Sequence, residues 1–471
     1  MRLTLAQIAE SLTAYGDIDQ GGSVEVTGVH TDSRTIRPGD LFICLTGEKF
    51  DGHGFAAEAA KAGAVAVVAH TPIEDPGIPV LMVRDTLQAL GQLASYVRMH
   101  CGATVAAVTG SAGKTTVKEL LWSILSQRFR TAKNQRNFNN QVGLPLTILQ
   151  CQGEEDIWVL ELGISHPGDM DDLGVIARPD LAIIHNIGSA HTEGLGGLKG
   201  VAQAKASLLR FLRPGGRAVI NADYPELVAE ASQYTNNIVY FSCLRADMPF
   251  ACSYLGRDNN GMGSFVLRLD GEAMELALPL FGQHMAEDIC AAATAAHLLG
   301  ADSEAIRLGL SNPPVVPGRF DRHDLGGLEL IDDAYNANPL SMRSSIAAAA
   351  ELAGDRPMGL VLGDMLELGD GEHQEHEEIG RFIAQTRADA KVFYKGRFID
   401  DIRRGLEEEG FAGSLSRIRD PQDFINQWEA AKGGPMSEGV VLFKGSRSMH
   451  MDAMHLALVK ALRNLEAGGT D

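Results

Sequence analysis

The stretch TGSAGKTTVKELL, from Thr109 to Leu121, constrains this chain more than any other. An apolar run, TVAAVT, delivers the backbone to a glycine-rich turn, and a helix-forming run follows at once. Gly110 and Gly113 can take backbone angles that other residues avoid. The N–H groups of the turn and of the opening helix can then face a polyphosphate, with the positive end of the helix dipole behind them. Lys114 supplies a point charge for the β- and γ-phosphates and Thr115 a hydroxyl for Mg²⁺. The usual Walker A spacing is absent, because Val108 stands where the pattern asks for its first glycine. The physics does not need that glycine, and a nucleotide site remains the reading.

A chain of 471 residues exceeds what one hydrophobic core usually supports, so several domains are expected. With 45% hydrophobic and 22% charged residues, the composition is that of an ordinary globular protein. The formal charge of −20 argues against non-specific binding to nucleic acid or to an anionic membrane surface. Six cysteines lie scattered with no C-x-x-C, which suggests reduced buried thiols rather than disulfides or a zinc site. The opening MRLTLAQIAESL reads as an amphipathic helix and lacks the regions of a signal peptide. No run of about 18 apolar residues occurs, so a cytoplasmic protein without membrane insertion is expected.

Short apolar runs alternate with helical stretches over residues 1–99, as in DLFICL, AVAVVA and FAAEAAKAG, predicting a small N-terminal α/β domain. Over residues 100–314, the runs TVAAVT, DIWVLELG, DLAIIHNIG and RAVINAD predict a central P-loop-type doubly wound, mostly parallel sheet. FVLRLDGEAMELALPLF reads as a hairpin inserted in it. The prolines of SNPPVVPGRF mark a break. Beyond it, LELIDDAY, MGLVLGD, KVFYKG and GVVLFKG predict a C-terminal Rossmann-like α/β domain over residues 315–471.

In open α/β sheets, ligands gather beyond the carboxyl ends of the strands. Glu161 ends IWVLELG and His191 follows LAIIHNI, so both are expected at the crevice that holds the glycine-rich turn. Lys205 lies on the following helix. A carboxylate and an imidazole suggest a second Mg²⁺ site, although magnesium prefers oxygen ligands. By spacing alone each keeps an ordinary alternative: a solvated strand end, a loop histidine, a surface lysine.

Taken together, TGSAGKTTVKE, NFNNQVGLPLTIL, ELGISHPGDM, NIGSAHTEGLGG, PGRFDRH, IDDAYNANPLSMRSSI, LGDMLELG and KGSRSMHMD resemble the Mur ligases, ATP-dependent amide-bond-forming enzymes of peptidoglycan synthesis. The matches run in family order from Asp32 to about Asp452. DDAYNANPLSMR and LGDMLELG are most similar to the branch whose acceptor is D-alanyl-D-alanine, and HTDSRTIRPGDLFICLTGEKFDGHGFA resembles that branch's segment for the UDP-sugar substrate.

The resemblance implies that Gly110, Ser111, Ala112, Gly113, Lys114, Thr115 and Thr116 hold the ATP phosphates, with Thr115 on one Mg²⁺. It implies that Glu161 and His191 bind a second Mg²⁺, and that Lys205 is carbamylated, which turns a cation into an oxygen ligand. Lys114, Glu161, His191 and Lys205 would form the catalytic set. Asn137, His284, Arg319, Asp333 and Asn336 fall to the nucleotide. Ser33 and Arg34 fall to the UDP moiety. Asn139, Asn140, Asn338, Lys444, Ser446 and Arg447 fall to the substrates. Those substrates would be UDP-N-acetylmuramoyl-tripeptide and D-alanyl-D-alanine, acted on by a monomer with no nucleic-acid partner.

One departure stands out. The family commonly reads Gly-x-His-Asn-x-x-Asn before an alanine-rich helix, and here GQHMAEDICAAA has Met285 and Asp288 in place of the asparagines. An ionised aspartate offers adenine only acceptors, so Asp288 is expected at the nucleotide as an acceptor for the exocyclic amine of adenine. Three alternatives stay open at this point: a related ligase with another acceptor, including a folylpolyglutamate-type synthetase; a nucleotide-dependent switch without ligase activity; and a degenerate ligase weakened by the changes at Met285 and Asp288.

Overall fold

The structure is a computed structural model that describes residues 3–14, 22–47, 49–189, 192–431, 434 and 436–468, without the side chains of 192, 193 and 465–468. At its centre lies a six-stranded sheet in the order Ile238–Phe241, Arg217–Asn221, Leu181–Ile184, Thr104–Thr109, Ile157–Glu161, Thr131–Lys133. Every neighbouring pair in it is parallel.

A parallel sheet covered on both faces needs apolar side chains on both, and successive residues of a strand point to opposite sides. Val105, Ala107, Leu160 and Ile184 accordingly enter one core, while Ala106, Val108, Val159 and Ile183 enter the other. The second core is closed by the helices Lys114–Leu125 and Gln283–Leu298, through Leu121, Ile124, Ile289 and Ala293. The first core continues into the N-terminal unit, taking in Leu41, Val68 and Leu93.

That N-terminal unit carries a four-stranded parallel sheet, Gly28–His30, Asp40–Ile43, Ala66–Ala69 and Val80–Met82. Its last helix, Thr86–His100, is pinned to the central unit by Arg98, which donates to the carbonyls of Ala177, Ala103 and Arg178 and pairs with Asp180 at 2.7 Å. A buried guanidinium is tolerable here because each of these donors finds an acceptor.

The C-terminal sheet has the order Asp321–Leu325, Leu328–Asp333, Gly439–Lys444, Met358–Gly363, Lys391–Lys395, Ser414–Arg417. It is parallel except at the first, antiparallel edge pair. The inserted hairpin, Gly263–Leu269 and Glu272–Leu278, gains a third antiparallel strand, Ala251–Arg257. This strand escapes periodicity because its register shifts between Tyr254 and Arg257. Among the described residues no helix is long and apolar enough to cross a membrane.

From Thr104–Thr109 the chain runs to one edge of the central sheet and later returns on the other side. The carboxyl end of that strand is thus the switch point where an α/β sheet opens a crevice. The C-terminal unit covers this crevice: Asn338 Nδ2 donates to the Ser111 carbonyl at 3.0 Å, and Tyr254 hydroxyl bonds Glu351.

Candidate active site

The crevice is a cavity of about 890 Å³. From the central unit it is lined by Ser111, Ala112, Gly113, Lys114, Thr116, Asn137, Asn139, Asn140, Glu161, His284 and Asp288. From beyond the proline-rich break it is lined by Arg319, Asp333, Asn336, Asn338 and Lys444. Gly110, Thr115 and Lys205 stand directly behind this wall, as their bonds show. Gly113 takes φ 73°, a left-handed angle suited to glycine, and opens the helix Lys114–Leu125 with no side-chain cap.

Lys114 Nζ and Lys205 Nζ both donate to the Gly110 carbonyl, each at 3.0 Å. Burial, with Lys114 adding to it, pushes the Lys205 amine well below the usual lysine range. An unprotonated amine is the form that can add CO₂. Thr115 Oγ1 donates to Glu161 Oε2 at 2.8 Å, and Asn139 Nδ2 donates to Glu161 Oε1 at 2.7 Å. Burial alone would raise the Glu161 carboxyl, but Lys118, Arg319 and Lys114 outweigh it and hold it below the ordinary value. A buried, ionised carboxylate beside a hydroxyl is a hard oxygen donor set that fits Mg²⁺. His191 lies outside the described residues.

The structure gives several expected ligand residues protein partners as well. Asn139 orients Glu161, and Asn140 Oδ1 accepts from the N–H groups of Val142 and Gly143 just ahead of the helix Gly143–Gln150. Lys444 Nζ pairs with Asp333 at 2.5 Å and donates to the Asn336 carbonyl at 3.2 Å, so it sets the position of both. The Arg319 guanidinium lies 4.3 Å over the Tyr335 ring. Ser446 Oγ accepts from Leu366 N–H at 2.9 Å, and Arg447 pairs with Asp452 at 3.4 Å; neither lines the cavity. Ser33 and Arg34 sit in the N-terminal unit, where Arg34 pairs with Asp32 at 2.6 Å.

The Mur ligase middle domain profile matches residues 108–296, the Mur ligase glutamate ligase domain 318–447, and the Mur ligase family catalytic domain 25–98. The UDP-N-acetylmuramoyl-tripeptide--D-alanyl-D-alanine ligase of Escherichia coli (strain K12) is 38% identical over 460 residues, covering 97% of this chain and 98% of the relative. The chain belongs to the Mur ligase family. The enzyme of the same name from Bacillus subtilis (strain 168) is 34% identical, covering 98% of this chain and 99% of its own. A crystal structure of MurF from Acinetobacter baumannii superposes with TM-score 0.87 at 31% identity, covering 98% and 99% of the two chains. MurF ligase from Thermotoga maritima, solved in complex with ADP, gives 0.79 at 28% identity, covering 93% and 98%.

Sequence reasoning missed four groups of this Mur ligase that touch the site. Lys118, fully buried, lies 3.7 Å from Glu161 one helical turn beyond Lys114, a spacing that could have revealed it. Asn186 Oδ1 accepts from Ser111 N–H at 2.8 Å and Ala112 N–H at 3.1 Å, so two amides of the loop are satisfied within the protein. Its Nδ2 donates to Glu287 at 2.6 Å, and Tyr224 hydroxyl donates to the same carboxyl at 3.0 Å. Burial pushes Glu287 up to about 7 against these two bonds.

His284 yields a pH prediction. Burial drives it down to about 4, with Asp333 opposing and Lys444 assisting. Between that value and 6.5 the folded state binds fewer protons than the unfolded chain, so its contribution is intact above about pH 6.5 and declines as pH falls toward 4. Denaturant unfolding at about pH 7 and about pH 5 should show a loss that is smaller in His284→Gln. Equal losses in the two proteins would remove His284 as its source.

Proposed function

We propose that this chain joins D-alanyl-D-alanine to UDP-N-acetylmuramoyl-tripeptide at the expense of ATP, in peptidoglycan precursor synthesis. The observation that carries the reading is whole-length likeness to ligases of that name, in a chain whose phosphate loop and C-terminal unit line one cavity. The proposed units are residues 1–99 for the UDP-sugar, 100–314 for ATP and 315–471 for the acceptor, in a cytoplasmic monomer.

A carboxylate anion is a poor electrophile, and ATP corrects this. The terminal carboxylate of the tripeptide attacks the γ-phosphorus, an O–P bond forms, the bond to the β-phosphate oxygen breaks, and ADP leaves. The amine of D-alanyl-D-alanine then attacks the acyl carbon of the acyl phosphate. The tetrahedral intermediate expels phosphate and the nitrogen loses its proton. Lys114 faces the transferring phosphoryl group, and Arg319 and His284 border the nucleotide. Thr115, Glu161, His191 and carbamylated Lys205 would hold two Mg²⁺ ions, which when bound neutralise phosphate charge. Asn139 and Lys118 keep Glu161 oriented and ionised, and the C-terminal wall of the cavity limits water that would hydrolyse the acyl phosphate.

Phosphate release from ATP and Mg²⁺ should require both UDP-N-acetylmuramoyl-tripeptide and D-alanyl-D-alanine. Release with single amino acids and not with the dipeptide would overturn the acceptor while keeping the ligase chemistry. Release indifferent to any acceptor would overturn the ligase.

A further inference from the structure

The phosphate loop rests on two side chains that the chemistry above does not use. His185 follows the strand Leu181–Ile184, and Asp288 lies near the start of the helix Gln283–Leu298. Both are nearly inaccessible, at 0% and 3% exposure. A methyl group added at Gly110 would strike the His185 ring, and one added at Gly113 would strike the Asp288 carboxyl. Gly110 does not take a left-handed angle, so at that position close approach to His185 is what demands glycine. His185 Nδ1 stands 3.0 Å from the Thr109 carbonyl and Nε2 2.5 Å from the Ala112 carbonyl, residues on either side of Gly110. Asp288 Oδ1 lies 3.6 Å from the same Nε2.

An aspartate in that place poses an electrostatic problem. A lone carboxylate pressed against the turn that receives polyphosphate would repel it, in a setting too buried for water to screen the charge. His185 removes the problem. Neutral imidazole with a neutral acid, or imidazolium with a carboxylate, gives a pair with no net charge. Burial pushes His185 down to about 4 and Asp288 well above the usual range, but both ring nitrogens face carbonyl oxygens that can only accept, and imidazolium beside a carboxylate is the form that satisfies both contacts.

We propose that His185 and Asp288 are a matched positioning pair: together they support the phosphate loop from beneath Gly110 and Gly113, and His185 cancels the charge that Asp288 would otherwise present to the nucleotide. Asp288 thus acts on the nucleotide through the loop, in company with a histidine. The inference rests on the reading of the loop as a nucleotide site.

The test is a double-substitution cycle read by calorimetric ADP binding, with thermal unfolding measured alongside. His185→Asn leaves Asp288 without its partner and should weaken ADP binding about tenfold or more, whereas Asp288→Asn alone should change it by less than about threefold. The double variant should recover most of the affinity lost in His185→Asn, and the KM for ATP should follow the ADP affinity while kcat at saturating ATP changes far less. Additive losses, or unchanged affinity in His185→Asn, would overturn the pairing. If His185→Asn fails to fold, the ring ¹⁵N shifts of His185 decide: the pair requires them to differ between wild type and Asp288→Asn, and identical shifts overturn it. Absence of ADP binding to the wild-type chain would instead overturn the nucleotide reading itself, a result distinct from any of these.

Discussion

Lys114→Ala should lower turnover by about 10² to 10³, the effect of losing roughly 3 to 4 kcal/mol of preorganised charge at a transferring phosphoryl group. The ammonium is held in place by its bond to the Gly110 carbonyl, and that carbonyl keeps Lys205 as a second donor when the lysine is removed. The fold should therefore tolerate the change, and unfolding curves of the two proteins should nearly coincide. Because the charge acts most on the transition state, kcat should fall more than the KM for ATP rises. Turnover close to wild type would refute the assignment of this loop to phosphate chemistry.

Lys205→Ala should have an effect at least as large, with a different signature. If the buried amine carries CO₂ as a carbamate, the variant loses an oxygen ligand in a place too enclosed for another side chain to reach. Activity should drop by more than about a hundredfold and return in part when acetate or formate is added, since a small carboxylate can enter the space the side chain vacated. A variant that merely lost the bond to the Gly110 carbonyl would give a modest defect with no response to carboxylic acids. That outcome would remove the carbamate from the mechanism.

The first prediction concerns a residue that spacing placed, whereas Lys205 came from the family resemblance, and the reason for the difference is local. A strand, a glycine turn and a helix succeed one another within Thr109–Leu121, so the loop announces itself in consecutive residues. Glu161 was legible because a parallel strand buried on both faces ends abruptly in a charge. The parts that stayed hidden depend on partners distant in the chain. Asn186 reaches Ser111 across 75 residues and Glu287 across 101, and nothing near any of them in sequence signals the meeting. Asp288 was visible as a departure from the family pattern, yet its reading as an ionised acceptor for adenine assumed a solvated carboxylate. Burial against Gly113 and His185 changes its chemistry, and only the fold supplies that burial. The strand Ala251–Arg257 was missed for a similar reason: its shifted register breaks the alternation by which strands are recognised.

The helix Lys114–Leu125 begins at Gly113 with no side chain to cap it. Other helices of this chain have such caps, as Asn338 does for Pro339–Ala353 and Asp302 for Ser303–Ser311. Helices without one leave amide groups that seek an acceptor. On the proposed reading the acceptor is a reactant. The phosphates would complete the first turn of a structural element while they are being consumed, which would make the nucleotide a removable part of the architecture. By mass action, a ligand at a hundred times its dissociation constant adds about 2.7 kcal/mol to the fold that binds it. On that reading the concentration of free nucleotide, ATP or ADP, would set how long this chain withstands heat and proteases.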